Sequence, residues 1–335
     1  MPLLLLLAVL QDKPLPKVEI LERTAAPMMV SEAPWEDMCL SWCTVLRVGK
    51  QWHLWYESFD QKYKLDSDGY LCYARSKDGV KWERPRLGLV EYGGNRDNNI
   101  LISGPAQGGI AGSNVFIDEQ ADPSERFKIV FIRHVNGQWP VFGGTSPDGI
   151  HWKLHEKPLY GKNSDTQIAC FRDGSLYRLY VRTWSSGLYQ GTRLVGYSES
   201  PTFGNFADAA NILKPDAQDP KDLHFYNSAA SKLRDDLYVL FPSGFTTGDD
   251  VSRVHFAVSR NGKDFERPVR GPVLDLGKGF DSQGLYVGPG AVPGDKPGTW
   301  WFYYVGTRVK HGDNVPGKAK KDGGYGRFLL KVTEN

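Results

Sequence analysis

Little in this chain of 335 residues leans to one side. Lys and Arg number 41 against 39 Asp and Glu, a formal charge of +2, which offers no field for gathering phosphates and excludes an electrostatic nucleic-acid binder. Cysteines are few, only Cys39, Cys43, Cys72 and Cys170. On a strand, Cys39 and Cys43 share a face but stand too far apart to bridge. A zinc site wants tighter pairs with partner histidines, so four buried thiols are expected; a bridge from Cys39 or Cys43 to Cys72 stays open only if their strands adjoin. Leu3 to Leu7 with Ala8-Val9-Leu10 falls short of the ~20 apolar residues that span a bilayer. It matches the core of a signal peptide, without the positive segment that usually precedes one. Residues 1–10 therefore read as the remnant of an export signal, with no stable membrane insertion, and residues 18–335 as a single domain. Long helical periods are missing as well.

What is present is repetition. An aromatic-rich alternating phrase recurs at Trp52–Glu57, Phe127–Arg133, Tyr177–Arg182, Leu237–Pro242 and Trp301–Gly306, at intervals of 75, 50, 60 and 64 residues. Alternation of Val, Ile, Tyr, Phe and Trp bounded by Gly, Pro, Asp and Asn predicts strands. A second phrase follows, Ser76-Lys77-Asp78-Gly79-Val80-Lys81-Trp82 and Ser146-Pro147-Asp148-Gly149-Ile150-His151-Trp152, with echoes at Ser198–Phe206 and Ser259–Phe265. Asp-Gly and Asn-Gly between strand-like runs signal hairpins, because those residues accept the positive φ of a primed turn. Periods of this size belong to small antiparallel sheets repeated about an axis. The prediction is an all-β chain folded as a five-bladed β-propeller, with antiparallel blades of about four strands around a central channel.

In such a ring the innermost strand of each blade lines the channel, and polar residues just before those strands face its mouth. They are Trp35-Glu36-Asp37, Gly112-Ser113-Asn114, Ser164-Asp165-Thr166-Gln167, Asp222-Leu223-His224-Phe225-Tyr226-Asn227 and Asp281-Ser282-Gln283. Four of these five entrances carry a carboxylate. Like charges crowded together resist joint ionisation, so a purely structural chain has little reason to collect them. Cleavage of a glycosidic bond does, since it needs one carboxylic acid to protonate the leaving oxygen and one carboxylate to activate water or attack the sugar. Asp165 and Asp222 are expected to share those roles, with Glu36, Glu57 or Asp281 completing the catalytic set. Trp35, Tyr226 and Tyr286 are placed to stack on a sugar, and Arg133 and Arg182 to bind hydroxyls, a carboxylate or a sulfate. Asn114, Gln167, His224, Asn227 and Gln283 complete the expected substrate-binding set. Asp78-Gly79 and Asp148-Gly149 are turns, and the basic run Lys310–Lys321 reads as a solvated loop.

The order of phrases, with Tyr73-Ala74-Arg75-Ser76, Asp78-Gly79 and Trp82, then Asp165-Thr166-Gln167, Phe225-Tyr226-Asn227, Phe280-Asp281-Ser282 and Gly323-Gly324-Tyr325-Gly326, resembles the five-bladed propellers related to invertase-like and arabinanase-like glycoside hydrolases, often described as carrying a glycosyl hydrolase family 32 N-terminal domain, or as family 43-like. The resemblance covers nearly everything after about residue 25. It implies an exported enzyme that cleaves a glycosidic bond in a plant or algal poly- or oligosaccharide. No cofactor follows from the residues, and no loop of the EF-hand type appears, although arabinanase-like propellers often hold a calcium in the channel. Two departures stand out. The invertase-type Trp-x-Asn-Asp-Pro-x-Gly motif is absent, which disfavours a retaining mechanism and leaves inversion. The first-blade Asp of arabinanase-like enzymes is missing unless Glu36 or Asp37 replaces it. The Ser-x-Asp-Gly-x-x-Trp phrase is similar to the sialidase Asp box without its full spacing, and there too it forms a turn. A sugar-binding propeller without catalysis, and a phosphorylase or lyase using Arg133, Arg182 and His134, are the alternatives; oligomeric state is not set by the sequence.

Overall fold

The computed structural model describes residues 14–334, so the stretch Met1 to Leu10 lies outside the described residues. The fold is all-β, a propeller-like arrangement of antiparallel sheets. The first sheet orders Cys39–Val48, Gln51–Phe59, Tyr70–Ser76 and Ile100–Ser103 side by side. The second comprises Ala111–Ile117, Phe127–Ile132, Val141–Ser146 and Lys153–Leu154, and the third Ala169–Asp173, Leu176–Trp184, Arg193–Ser200 and Ala210–Leu213. A fourth has three strands, Ala229–Arg234, Leu237–Phe241 and Ala257–Ser259. The remaining strands form one curled sheet of nine.

Here the structure departs from five separate four-stranded units. The strand that begins at Leu237 breaks at Pro242, which has no N–H to donate to a ladder. Leu237–Phe241 therefore pairs within the fourth sheet, whereas Ser243–Thr246 pairs with Leu223–Phe225 and Val251–Val254 in the nine-stranded one. That outlying piece reaches the rest of the curled sheet through a single parallel bridge, Ser252 to Gly284. Beyond it run Gly284–Val287, Thr299–Thr307, Gly324–Thr333 and finally Lys17–Arg23 from the start of the chain.

Alternation explains how the sheets stack. Side chains of successive strand residues face opposite ways, so Leu54 and Tyr56 enter one apolar cluster and Trp55 the next. Five clusters fill the gaps between consecutive sheets, and the last joins Tyr303, Val305 and Tyr325 to Leu40 and Tyr56 of the first. Trp55 is 1% exposed; burying an aromatic of that size stabilises by roughly 2–3 kcal/mol.

The hairpin turns are latched to the neighbouring sheets. In Ser76–Lys81 the Asp78 carboxylate accepts from the amides of Val80 and Lys81, both at 2.8 Å, and Gly79 takes φ +71°, a region that favours glycine. The turn's carbonyl then receives a hydrogen bond from the next sheet: Tyr303 Oη to Gly79 O at 2.9 Å, Trp55 Nε1 to Gly149 O at 2.7 Å, and Tyr180 Oη to Gly262 O at 2.8 Å. All four cysteines are free and buried. Cys43 and Cys72 both pair with Tyr56, from opposite sides, so a whole strand separates them and no bridge can form.

Candidate active site

The innermost strands begin at Cys39, Ala111, Ala169, Ala229 and Gly284, and beside these starts opens a cavity of about 340 Å³. Its wall takes Leu40 to Trp42 from the first sheet, Ala111 and Ile132 from the second, Asp165 and Thr166 ahead of the third, Tyr226 ahead of the fourth, and Tyr286 and Val305 from the curled sheet. Two loops complete it, with Tyr63 and Asp66 on one and Val309 to Val315 on the other. Inner strands approach so closely that a Cβ on Gly112, at φ +61°, would come within 2.3 Å of the Thr166 carbonyl.

Asp165 is the predicted carboxylate that the cavity exposes. Its Oδ1 pairs with Nη1 of Arg182, whose side chain is 1% exposed against 21% for Asp165. The other guanidinium nitrogens of Arg182 donate to the Tyr226 carbonyl, Nε at 2.9 Å and Nη2 at 2.6 Å. One buried cation thereby joins the third entrance to the fourth. The Arg182 guanidinium also lies 3.9 Å from the centroid of the Tyr226 ring, and Trp42 stands near-parallel to that ring at 6.4 Å. Tyr226 thus lines the cavity with its ring already in contact with the protein's own groups. The hydroxyl is hydrogen-bonded to His311 Nε2 at 2.8 Å, and His311 Nδ1 stands 3.8 Å from Asp250 Oδ1. Burial pushes the Tyr226 phenol up and the His311 imidazole down from their ordinary values.

Asp66 is the second carboxylate on the wall, accepting the Tyr63 hydroxyl. Glu57 lies behind Ala111, wholly buried, and accepts from the Gly112 amide at 3.1 Å and from the Ser113 amide and hydroxyl at 2.6 and 2.5 Å. Burial raises its carboxyl to about 7 in spite of those donors. Thr166 Oγ1 and Asn314 Oδ1, on residues of the wall, are buried and have no hydrogen-bond partner.

The other predicted residues are placed elsewhere or turned inward. Glu36, 0% exposed, accepts from Tyr56, Arg84, Glu32 and Ala33, and Trp35 packs edge-on to Tyr92. Asp222 accepts from the Gly248 amide at 2.9 Å, fixing a loop. Asp281 receives Arg23 and the Tyr304 hydroxyl. Arg133 donates to the carbonyls of Gly109 and Gln107 and lies over Phe131. Asn114, Gln167 and Asn227 stitch inner strands together: Asn114 accepts from the Cys170 amide, Gln167 donates to the Cys43 and Ser113 carbonyls, and Asn227 donates to that of Val287. His224 faces Arg193, 3.1 Å from its Nη1, and Gln283 is tied through its backbone to Thr307. Tyr286 does line the cavity, edge-on to Trp42 at 5.3 Å, and accepts from Ser252.

Trp42, Tyr63, Asp66 and His311 are cavity residues that the sequence reading passed over. His311 lies in the basic run read as a solvated loop, and six residues of that loop, Val309 to Gly312 with Asn314 and Val315, line the wall. Among the described residues no group of three or more His, Cys, Asp and Glu gathers where it could hold a metal, so the calcium implied by the resemblance has no such cage there. Among the described residues no helix is long and apolar enough to cross a membrane.

No family model matches the chain, and no curated protein matches it. Solved structures do. An N-acetylgalactosamine deacetylase from F. plautii, in complex with blood group B trisaccharide, superposes with a TM-score of 0.68 at 14% identity, covering 96% of this chain and 95% of that one. A structure described as a glycoside hydrolase gives 0.63 at 12% identity, over 98% and 94%. The catalytic domain of the Coprinopsis cinerea GH62 α-L-arabinofuranosidase gives 0.60 at 12%, over 96% and 98%. At such identities the likeness establishes the fold: over nearly its full length, this chain has the propeller-like all-β arrangement of those carbohydrate-active proteins.

Proposed function

We propose that the cavity is the active site of a glycoside hydrolase-like enzyme acting on a poly- or oligosaccharide, in a single five-bladed propeller domain. The blade count rests on the five inter-sheet clusters: the fourth sheet and the outlying strands of the curled sheet are one blade broken at Pro242, and the rest of the curled sheet is the fifth. One observation carries the functional reading. Asp165, held by the buried Arg182, keeps part of its carboxylate exposed in an aromatic-walled cavity ringed by the inner strands. The names of the similar structures, a deacetylase bound to a trisaccharide and an arabinofuranosidase, are in keeping with a carbohydrate ligand.

Asp165 is assigned as the group that takes a proton from the attacking water. The guanidinium N–H received by Oδ1 fixes the carboxylate and leaves the other oxygen to meet water. Direct attack by that water inverts the anomeric carbon, and such sites hold base and acid about 6.5–9.5 Å apart. The substrate panel is plant and algal oligosaccharides with nitrophenyl glycosides. Asp165→Asn, which keeps an oxygen for Arg182 to donate to, is expected to lower kcat/KM by about 10³-fold in the protein that remains folded; full activity in this variant would sink the assignment. Asp222→Asn separates geometry from sequence pattern, since a loop cap predicts retained turnover. Proton NMR of the first-formed anomer tests inversion. Binding on a glycan array without product identifies a sugar-binding propeller instead. Export belongs to the same reading, and a mature N-terminus beyond residue 10 in culture medium tests it.

A further inference from the structure

We infer that the proton donor of this site is the Tyr226 hydroxyl backed by His311, and not a carboxylate. The inference rests on the hydrolase reading, which supplies the need for a donor. Asp66, the other cavity carboxylate, sits on an exposed loop and is tied to Tyr63 of that same loop. Tyr226, by contrast, is locked by Arg182 at its carbonyl and ring, by Trp42 and by Tyr286, and both it and the His311 that its hydroxyl meets line the cavity. His311 is set by its own hydrogen bonds: its amide donates to the Asp250 carbonyl at 3.2 Å and the Gly312 amide to Asp250 Oδ2 at 2.9 Å, while Phe245 packs on the ring at 4.8 Å.

The step balances without any further reagent. Tyr226 gives its hydroxyl proton to the leaving glycosidic oxygen as the C1–O bond breaks. The proton on His311 Nε2 moves to the Tyr226 oxygen, leaving a neutral imidazole. Water forms the new C1–O bond and gives its proton to Asp165. Solvent exchange then returns the Asp165 proton to His311. The groups that face His311 are Tyr226, Asp250, Asp66, Arg182 and Arg193. Burial and the two arginines lower its pKa against the two carboxylates. The donating form is therefore present in acid, and turnover of substrates that need an acid falls as pH rises through a value below the usual 6.5.

Leaving-group dependence tests this, because a good leaving group needs no proton. With one glycone carried on dinitrophenol and on methanol, Tyr226→Phe and His311→Gln are expected to lose about 10²-fold or more in kcat/KM on the methyl glycoside and less than about 10-fold on the dinitrophenyl one. Both should also lose the pH limb. A merely structural role lowers both substrates equally, and that result overturns the inference, as does leaving-group selectivity in Asp66→Asn but not in Tyr226→Phe. Asp165→Asn keeps the two readings apart: it must be slow on both substrates, and if it is not, the hydrolase assignment itself has failed.

Discussion

Arg84 at the first entrance and Arg182 at the third each hold a carboxylate, on opposite terms. Glu36 is saturated. Its two oxygens accept five hydrogen bonds, from Tyr56, from Arg84 twice and from the amides of Glu32 and Ala33, and none of the residue is exposed. Asp165 accepts from one guanidinium and keeps 21% of its side chain exposed in the cavity. An arginine holding a carboxylate ahead of an inner strand thus makes a structural tie in one case and a candidate base in the other. What separates them is how many donors the protein supplies: a carboxylate that is fully provided for has nothing left with which to do chemistry.

The sharpest way to break that contrast is to remove each partner in turn. Arg182→Met strips Asp165 and leaves the Tyr226 carbonyl without its donor. It should cost about 3–5 kcal/mol in unfolding free energy and abolish turnover together, read by denaturant melts and initial rates. Glu36→Ala should cost a similar about 3–5 kcal/mol by taking the buried acceptor from Tyr56 and Arg84, which keeps only Glu32 and the Val30 carbonyl, with kcat unchanged in whatever protein remains folded; a specific loss of kcat would erase the distinction drawn here. Smaller is the effect of Glu57. Its folded pKa of about 7 exceeds the usual 4.5 because of burial, so between those values the folded state binds more protons than the unfolded chain and stability falls as pH rises. Melting temperature should drop across this window, and Glu57→Gln should flatten the drop. Least costly is Tyr180→Phe, which deletes one inter-sheet latch and should destabilise by about 1–2 kcal/mol without altering kinetics.

Much of this was legible beforehand, for reasons that differ by residue. Strands announce themselves through alternation, and the Asp78-Gly79 and Asp148-Gly149 turns through their tolerance of positive φ, since both depend on near neighbours in the chain. Asp165, Arg182, Tyr226 and Tyr286 were reachable because they flank or begin strands whose place in the ring is set by the repeat. Asp66 and His311 were not. Their loops carry no period, and their positions depend on distant partners: Gln61 accepts from the Gly317 amide and donates to the Ala319 carbonyl, while Asp250 holds Gly312. Asp222 and Asp281 show the converse error. A strand start predicts the neighbourhood of a side chain, while its direction is decided by local donors such as the Gly248 amide and Arg23.

The pairing of Lys17–Arg23 with Gly324–Thr333 turns the chain into a belt with its buckle in the curled sheet. Thr24 donates to the Arg327 carbonyl across 303 positions of sequence, so the ring is fastened by its most distant segments. Nicking a surface turn leaves the clasp shut. Deleting the first strand instead bares the stretch from Phe328 to Thr333 as an open edge, a template onto which a strand from another molecule can add.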